Sequence, residues 1–350
     1  MLSKRTRLPG GGSRLAALLA PILLVAAASA ADPSLGPRDW ALIEEAYHVW
    51  ATQVDKVWPG VSPFRPPMIY VGETEEYAIG FHRPLPGFVP AGSASDRVGS
   101  AQVRPRTLPV GSAASFPVDG ATAVVMGRPE ALGKSPEAWV ITACHEMFHG
   151  FQQSRGAAGK IESLEIGPKQ DGSWHLNFPF PYRDADLMRL IHLQGYLLWL
   201  ASVASGSDDA VYNLGTALEA NRVYRTRLES LMPDGKAAKY SLFQEWSEGV
   251  AAYTEFKIAE ALGTTAHQPL AAFSRLPDFR GYPAAWKADY QNRPYLVKHA
   301  GRATKSRTTF YHLGMGKALA LDAALPGWKS KYFLPGVWLD DLLNEAIQAR

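Results

Sequence analysis

The stretch that decides the fold lies at residues 135–151 and reads SPEAWVITACHEMFHGF. It opens with a serine that can cap a helix, then a proline at the first helical position, then an acid near the positive end of the helix dipole. This order predicts a helix from residue 136 to about residue 155, ended by Gly156. On one side of that helix the spacing predicts a buried stripe of Val140, Cys144, Met147, Phe148 and Phe151.

Two histidines of this helix are spaced to share one ligand. His145 and His149 lie four positions apart, so their imidazoles stand one turn apart on one face and can converge on a tetrahedral Zn²⁺. Glu146 lies beside the metal, where a carboxylate can accept a proton from water. The alternative is a pair of core histidines bonded to backbone or carboxylate groups. Cys144 is the single cysteine, which excludes an intramolecular disulfide, and we expect it to pack rather than to bind metal.

A catalytic zinc usually takes three protein ligands and keeps one position for water. The longer H-E-x-x-H-x-x-G-x-x-H arrangement fails here, because Gln152 and Arg155 occupy the positions of its glycine and last histidine. A distant acid is therefore expected. A predicted helix at residues 242–262 carries small residues such as Gly249, which would let it approach the metal helix closely. Its three competing acids are Glu245, Glu248 and Glu255.

These two helices resemble those of the gluzincins, the peptidase MA-like zinc metallopeptidases that include thermolysin and the zinc aminopeptidases. In that group the glutamate before the glycine is the third zinc ligand, so the resemblance implies Glu248. It also implies one Zn²⁺ per chain, a peptide or protein substrate, and Glu146 as the general base. The likeness rests on His145-Glu146-x-x-His149 followed by Gln152, and on Trp246-x-Glu248-Gly249-x-Ala251-x-Tyr253.

The resemblance further implies a donor for the oxyanion, since gluzincins commonly supply a tyrosine or histidine from a later helix. Our candidate is Tyr311 or its neighbour His312, on a helix predicted at residues 308–325. The alternative is a tyrosine packed at a helix face with a solvated hydroxyl. A strand predicted at residues 121–126 could bind a peptide by edge pairing, as gluzincin edge strands do, or could be an ordinary interior strand.

Working outward, the periodicity predicts an α+β fold of zincin type. A helix at Pro37–Val57 precedes short strands at Met68–Val71 and residues 77–81, so residues 31–134 form a helix and a small mixed sheet. Residues 135–350 form a mainly helical part around the metal site, within one domain spanning 31–350. Its further helices are predicted at residues 187–204, 210–231, 242–262, 308–325 and 338–349, with an irregular region at 263–306.

The first 30 residues read as a secretory signal peptide, with a basic head, an apolar run and the small-residue ending before a cleavage site near Ala30. An uncleaved anchor is the alternative, but Pro21 interrupts the run, which is shorter than the roughly 20 residues of a spanning helix. Without this segment the formal charge falls from +3 to −1. The remaining chain therefore lacks the net positive charge that would attract nucleic acid. We therefore expect a secreted or periplasmic protein with no stable membrane insertion.

The sequence thus predicts an exported zinc metallopeptidase, expected to be a monomer, with His145, His149 and Glu248 on the metal and Glu146 as base. One rival is a catalytically inactive zincin-like binding or structural protein that retains the metal. The other rival is a helical interaction module without zinc. Retention of Glu146 argues against the first rival, because a purely structural site has no use for an uncoordinated carboxylate.

Overall fold

The N-terminal part of the chain forms a sheet, and the C-terminal part is helical. The computed structural model describes residues 35–167 and 174–349. The mixed α+β class predicted from the sequence is confirmed. The predicted signal peptide at residues 1–30 lies outside the described residues and stays a prediction. Within the described residues, no helix has the length and apolar character needed to cross a membrane.

The N-terminal part begins with helix α1 (Pro37–Val57), as predicted, and continues with six strands in one mixed sheet. Strand β1 pairs in parallel with β6, and all other neighbouring pairs are antiparallel. The order across the sheet is β3-β4-β2-β1-β6-β5. The strands are β1 (Met68–Val71), β2 (Glu75–Ile79), β3 (Val89–Ser95), β4 (Gly99–Pro105), β5 (Ala113–Val118) and β6 (Ala121–Gly127).

One sequence interpretation is wrong at this sheet. The sequence allows β6 to be an edge strand that pairs with a peptide. In the structure β1 and β5 flank β6 on both sides, and its backbone N–H and C=O groups are paired with theirs. The edge strand next to β6 is β5, which the sequence pattern did not predict. The residues predicted as a strand at 77–81 are displaced too, because β2 ends at Ile79 and Gly80 takes a positive φ of 75°.

The C-terminal part is helical, as predicted, with helix ends close to those expected. Two π-helical segments interrupt it, at Glu245–Gly249 and Trp286–Tyr290. The region 263–306 holds several short helices, which is more order than predicted. The helices are α2 (Pro136–Ser154), α3 (Ala157–Leu164), α4 (Trp174–Asn177), α5 (Ala185–Ser202), α6 (Ser207–Leu231), α7 (Lys236–Gln244), α8 (Val250–Thr264), α9 (Ala271–Ser274), α10 (Tyr282–Ala285), α11 (Arg293–Lys298), α12 (Thr308–Ala324), α13 (Lys329–Tyr332) and α14 (Leu339–Gln348).

One hydrophobic cluster runs from the inner face of the sheet through the helices, and it places α2 at its centre. Met68 and Tyr70 of β1 and Val124 of β6 face this cluster. The opposite face of the sheet has only a small cluster around Ile69 and Val125. The metal helix is therefore held between the sheet and the helical part. Its predicted stripe of Val140, Cys144, Met147, Phe148 and Phe151 is buried throughout.

Candidate metal centre

Helix α2 begins as the sequence predicts. The hydroxyl oxygen of Ser135 accepts a hydrogen bond from the backbone N–H of Ala138 at 3.2 Å, and Pro136 occupies the first turn. This cap fixes the first residue of the helix. The helical repeat from that residue then determines the face on which His145 and His149 lie. His145 and Glu146 are each only 7% exposed, although they lie on the polar side of the helix.

Three side chains converge on one point beside α2. The Nε2 atoms of His145 and His149 are 3.1 Å apart. The Oε2 atom of Glu248 lies 3.2 Å from Nε2 of His149 and 3.7 Å from Nε2 of His145. Four ligands at about 2.0–2.1 Å in a tetrahedron stand about 3.3 Å from one another. The sides of this triangle bracket that spacing, so the cluster could hold a metal ion.

The other ring nitrogens of both histidines have acceptors that fix the tautomers. Nδ1 of His145 lies 3.2 Å from a carboxylate oxygen of Glu255, and Nδ1 of His149 lies 2.8 Å from the amide oxygen of Gln152. In the neutral form of both rings each Nδ1 donates its proton outward, which leaves two Nε2 lone pairs facing each other at 3.1 Å. Such lone pairs repel unless a cation lies between them. This donor set fits a divalent metal ion.

The charges of the cluster favour a cation in the same place. Burial lowers the pKa of His145, but hydrogen bonds to Glu248 and Glu255 outweigh it and raise this pKa to about 10. Burial acts to raise the pKa of Glu248, but the charges and hydrogen bonds of the two histidines outweigh it and hold this pKa well below its usual range. Protons and metal ions therefore compete for the same three side chains.

Glu248 is presented by a π-helical turn rather than by regular helix. Residues Glu245–Gly249 form this turn between α7 and α8. A π-turn changes the i→i+4 pattern and leaves backbone carbonyls in need of other donors. The side-chain amide of Gln152 donates to the carbonyls of Trp246 and Ser247 at 3.3 and 3.1 Å. Gln152 thus links His149 to the turn that carries Glu248.

The glycine next to Glu248 serves a different contact from the one the sequence suggested. We expected Gly249 to bring its helix close to the metal helix. Instead it lies against Gly314 of α12, where a Cβ on Gly249 would be 2.4 Å from the Gly314 Cα. Helix α8 does pack against α2, as expected, but the small residue at position 249 is needed for the α12 crossing, and Gln152 provides the link from α2 to the π-turn.

The other two acids of this segment have separate roles. Glu245 is buried and accepts a hydrogen bond from Lys317 at 2.5 Å, in a network that includes Asp340. Glu255 binds the outward nitrogen of His145 and is in turn bound by Arg293 at 3.0 Å. Neither of these acids belongs to the three-residue cluster. The structure therefore separates candidates that the sequence alone left open.

The chain matches no family model, no curated protein and no solved structure. The gluzincin resemblance accordingly depends on the residues of the two helices and on the geometry they form. The comparisons add no residue to the site and remove none.

Glu146 lies beside the cluster and is not one of its three converging side chains. Burial raises the pKa of its carboxyl group, partly offset by the two histidines. The hydroxyl of Ser115, on edge strand β5, donates to the backbone carbonyl of Glu146 at 2.6 Å. This bond fixes β5 against the turn of α2 that carries His145 and His149. This contact was not predicted, because Ser115 belongs to a strand that lacks a clear periodicity.

Tyr311 and Arg307 cover the cluster from α12 and the residue before it. The ring of Tyr311 stacks on His145, with centroids 6.4 Å apart and planes at 15°. Burial and the nearby Glu248 raise the pKa of Tyr311, so its hydroxyl stays protonated. The Arg307 guanidinium donates to the second oxygen of Glu248 at 3.2 Å. Of the two predicted neighbours, Tyr311 is therefore the one whose ring lies beside the cluster.

Proposed function

We propose that this chain is a zinc-dependent peptidase, with His145, His149 and Glu248 as metal ligands and Glu146 as the general base. The observation that supports this most directly is the triangle of 3.1, 3.2 and 3.7 Å between the three donor atoms. Two imidazoles and one carboxylate are also the ligand set of known catalytic zinc sites, which keep a fourth position for solvent or substrate. We propose zinc as the metal because this ligand set is typical of it.

The chemistry supplied at such a centre is Lewis acidity, which lowers the pKa of water toward about 7 and polarises a carbonyl group. Glu146 accepts the proton of the attacking water and returns it to the leaving amine. The hydroxyl of Tyr311 donates a hydrogen bond to the oxyanion that forms on the scissile carbonyl. Arg307 holds the outer oxygen of Glu248 and keeps its inner oxygen directed at the histidines.

A peptide substrate has an accessible backbone partner in β5. This strand lies at the edge of the sheet and is tied to Glu146 through Ser115. An extended peptide paired with its free edge would therefore run past the metal centre. We further propose that the protein is exported, cleaved near Ala30 and active as a monomer in the periplasm or outside the cell, which N-terminal sequencing of the mature protein can test.

Metal analysis is the first test of this proposal. Plasma mass spectrometry of the purified mature protein should find about one zinc per chain, as expected for a single three-ligand site. His149→Ala should lose the metal, whereas His82→Ala, at an exposed loop position, should retain it. A metal-free wild type would reject both the peptidase and the inactive metal-holding protein, and would favour a zinc-free interaction module.

Activity is the second test. The wild type should cleave members of a peptide pool, and a chelator should stop the cleavage. Glu146→Gln should keep its zinc but lose cleavage, because an amide cannot accept the proton of water at neutral pH. A zinc-loaded wild type that cleaves no peptide would support the inactive binding or structural protein. A fully active Glu146→Gln variant would show that Glu146 is not the base.

A further inference from the structure

A second site lies at the C-terminal end of the metal helix, away from the three ligands. It is a cavity of about 860 Å³ between the end of α1, the end of α2 and the segment around α13. Its size falls within the range of small-molecule pockets, which is roughly 300–1,000 Å³. The side chains that define its chemistry are Lys56, Trp58, Phe151, Arg155, Lys329 and Phe333.

The charged residues of this cavity are all positive. Lys56, Arg155 and Lys329 line it, and no carboxylate is among the lining residues that the structure describes. Lys329 has an ion pair with Asp322 at 3.0 Å, but the Lys56 ammonium donates only to the neutral amide of Gln53. For Arg155, no carboxylate partner lies within the described ranges 35–167 and 174–349. Among the residues that the structure describes, two cations at the cavity therefore have no counter-charge.

The walls between these cations are aromatic and held in place. Trp58 is buried, its indole N–H donates to the Thr254 hydroxyl at 2.8 Å, and its ring lies 5.7 Å from that of Phe333. The Arg155 guanidinium lies over the rings of Phe151 and Phe333, at 5.4 and 5.8 Å from their centroids. An arginine held over aromatic rings keeps its in-plane N–H donors free for a carboxylate.

The geometry points to a binding site for a small organic anion with an apolar body, such as a medium-chain or aryl carboxylate. The apolar part would lie along Phe333, whose ring packs on the buried Trp58, and the carboxylate would meet Arg155 and Lys56. Exposed apolar surface at the rim, where Leu334 is 48% exposed, would be covered by the same ligand. Neither the metal ligands nor Glu146 line this cavity, so this site is independent of the proposed peptidase activity.

Titration calorimetry with dodecanoate, kept below its micelle concentration, tests the site directly on the mature protein. Dodecanoate should bind at one site per chain. Dodecan-1-ol has the same chain without the charge, and acetate has the charge without the chain, so both should bind more weakly. Arg155→Gln should lower the dodecanoate affinity by about three- to tenfold, the value of one partly exposed ion pair.

Arg275→Gln is the matched control, because Arg275 is exposed, lies outside the cavity and bonds only to the backbone oxygen of Ala271. It should bind dodecanoate as the wild type does. Lys56→Gln provides a second variant, with a loss similar to that of Arg155→Gln. Absence of binding, equal affinity for the acid and the alcohol, or wild-type affinity in both cavity variants would overturn the assignment.

Discussion

Gln152 shows how much of this centre depends on a residue that binds no metal. Its amide oxygen accepts the Nδ1 proton of His149, and its amide N–H groups donate to the π-turn and to the hydroxyl of Tyr332 at 2.7 Å. Every polar atom of the amide is therefore used, and the side chain is 1% exposed. A side chain so constrained fixes the orientation of the His149 ring and the position of Glu248 together.

Replacing this amide should weaken zinc binding. In Gln152→Leu the Nδ1 proton of His149 and the Ser247 carbonyl lose their partner, while the Trp246 carbonyl keeps only the Tyr332 hydroxyl. The zinc affinity should therefore fall by about 10- to 100-fold. Competition with a chromophoric chelator measures this loss. Gln153→Leu, at the next and more exposed position, should bind zinc like the wild type. Equal affinity in Gln152→Leu and the wild type would show that the amide does not orient His149.

Tyr311 gives a second prediction at the residue scale. Tyr311→Phe keeps the ring stacked on His145 but removes the hydroxyl, so kcat should fall by about 10²-fold with the zinc content unchanged. The neighbouring variant His312→Gln should retain near wild-type kcat, because within the described residues no hydrogen bond or ion pair joins His312 to the cluster. Steady-state kinetics on one cleaved peptide separate the two. A large loss in His312→Gln alone would reverse the assignment.

At the scale of elements, the crossing of α12 over the π-turn determines where Glu248 lies. Gly314 and Gly249 meet backbone to backbone, and a Cβ on Gly314 would be 2.2 Å from the carbonyl oxygen of Glu245. Backbone atoms cannot move aside as the end of a side chain can. Only glycine fits position 314 at this crossing. The crossing also keeps Tyr311 of α12 beside His145.

Gly314→Ala should consequently destabilise the protein. The added methyl group forces α12 and the π-turn apart, which should cost about 3 kcal/mol of the free energy of unfolding. Gly215→Ala is the matched control, since Gly215 is also helical but has open space around its Cβ position. That variant should gain up to about 1 kcal/mol, because alanine favours a helix over glycine. Urea unfolding of both variants measures these changes. An unchanged free energy of unfolding in Gly314→Ala would contradict the close crossing.

Sequence patterns predicted the elements whose signal is local. His145 and His149 were predicted to share a face because four residues make one helical turn, which fixes their relation without any other part of the chain. Periodicity located α1, α2, α5, α6, α12 and α14 within a few residues, whereas the short helices α3, α4, α9, α10, α11 and α13 were not predicted. Strands β3 to β5 were missed because their residues are small, polar or proline and alternate weakly between the two faces of the sheet.

The distant partners could not be derived in the same way. Glu248 lies ninety-nine positions from His149, and spacing alone did not separate it from two other acids on the same helix. The π-turn depends on Gly314 and Gln152, which lie in other segments. Arg293 and Arg307 contact Glu255 and Glu248 from segments without a clear period. Only the folded chain brings these residues together.

At the scale of the whole molecule, buried neutral histidines couple stability to pH. Burial and the charge of Arg293 lower the pKa of His312 to about 4, and burial lowers the pKa of His175 to about 4 as well. In the unfolded chain these groups titrate near 6.5. Because the unfolded state binds the proton first, the stability contributed by the neutral rings is complete above about pH 6.5 and is lost as the pH falls toward 4.

The free energy of unfolding should therefore decrease between pH 6.5 and 4. For His312 the decrease could reach about 3 kcal/mol, at about 1.4 kcal/mol per pKa unit. Urea unfolding across this range, with chelator present to remove metal effects, should show a smaller slope for His312→Asn than for the wild type. His82→Asn, at an exposed position, should keep the wild-type slope. An unchanged slope in His312→Asn would contradict the buried neutral ring.

The π-turn at Glu245–Gly249 gives the chain one residue more than an uninterrupted α-helix would need to span the same distance. Deleting a single amino acid there would restore regular helix while α7 and α8 could keep their places. The carboxylate of Glu248 would then rotate by about 100° away from the histidines. The convergence of these three side chains on one point therefore depends on a single codon in the gene.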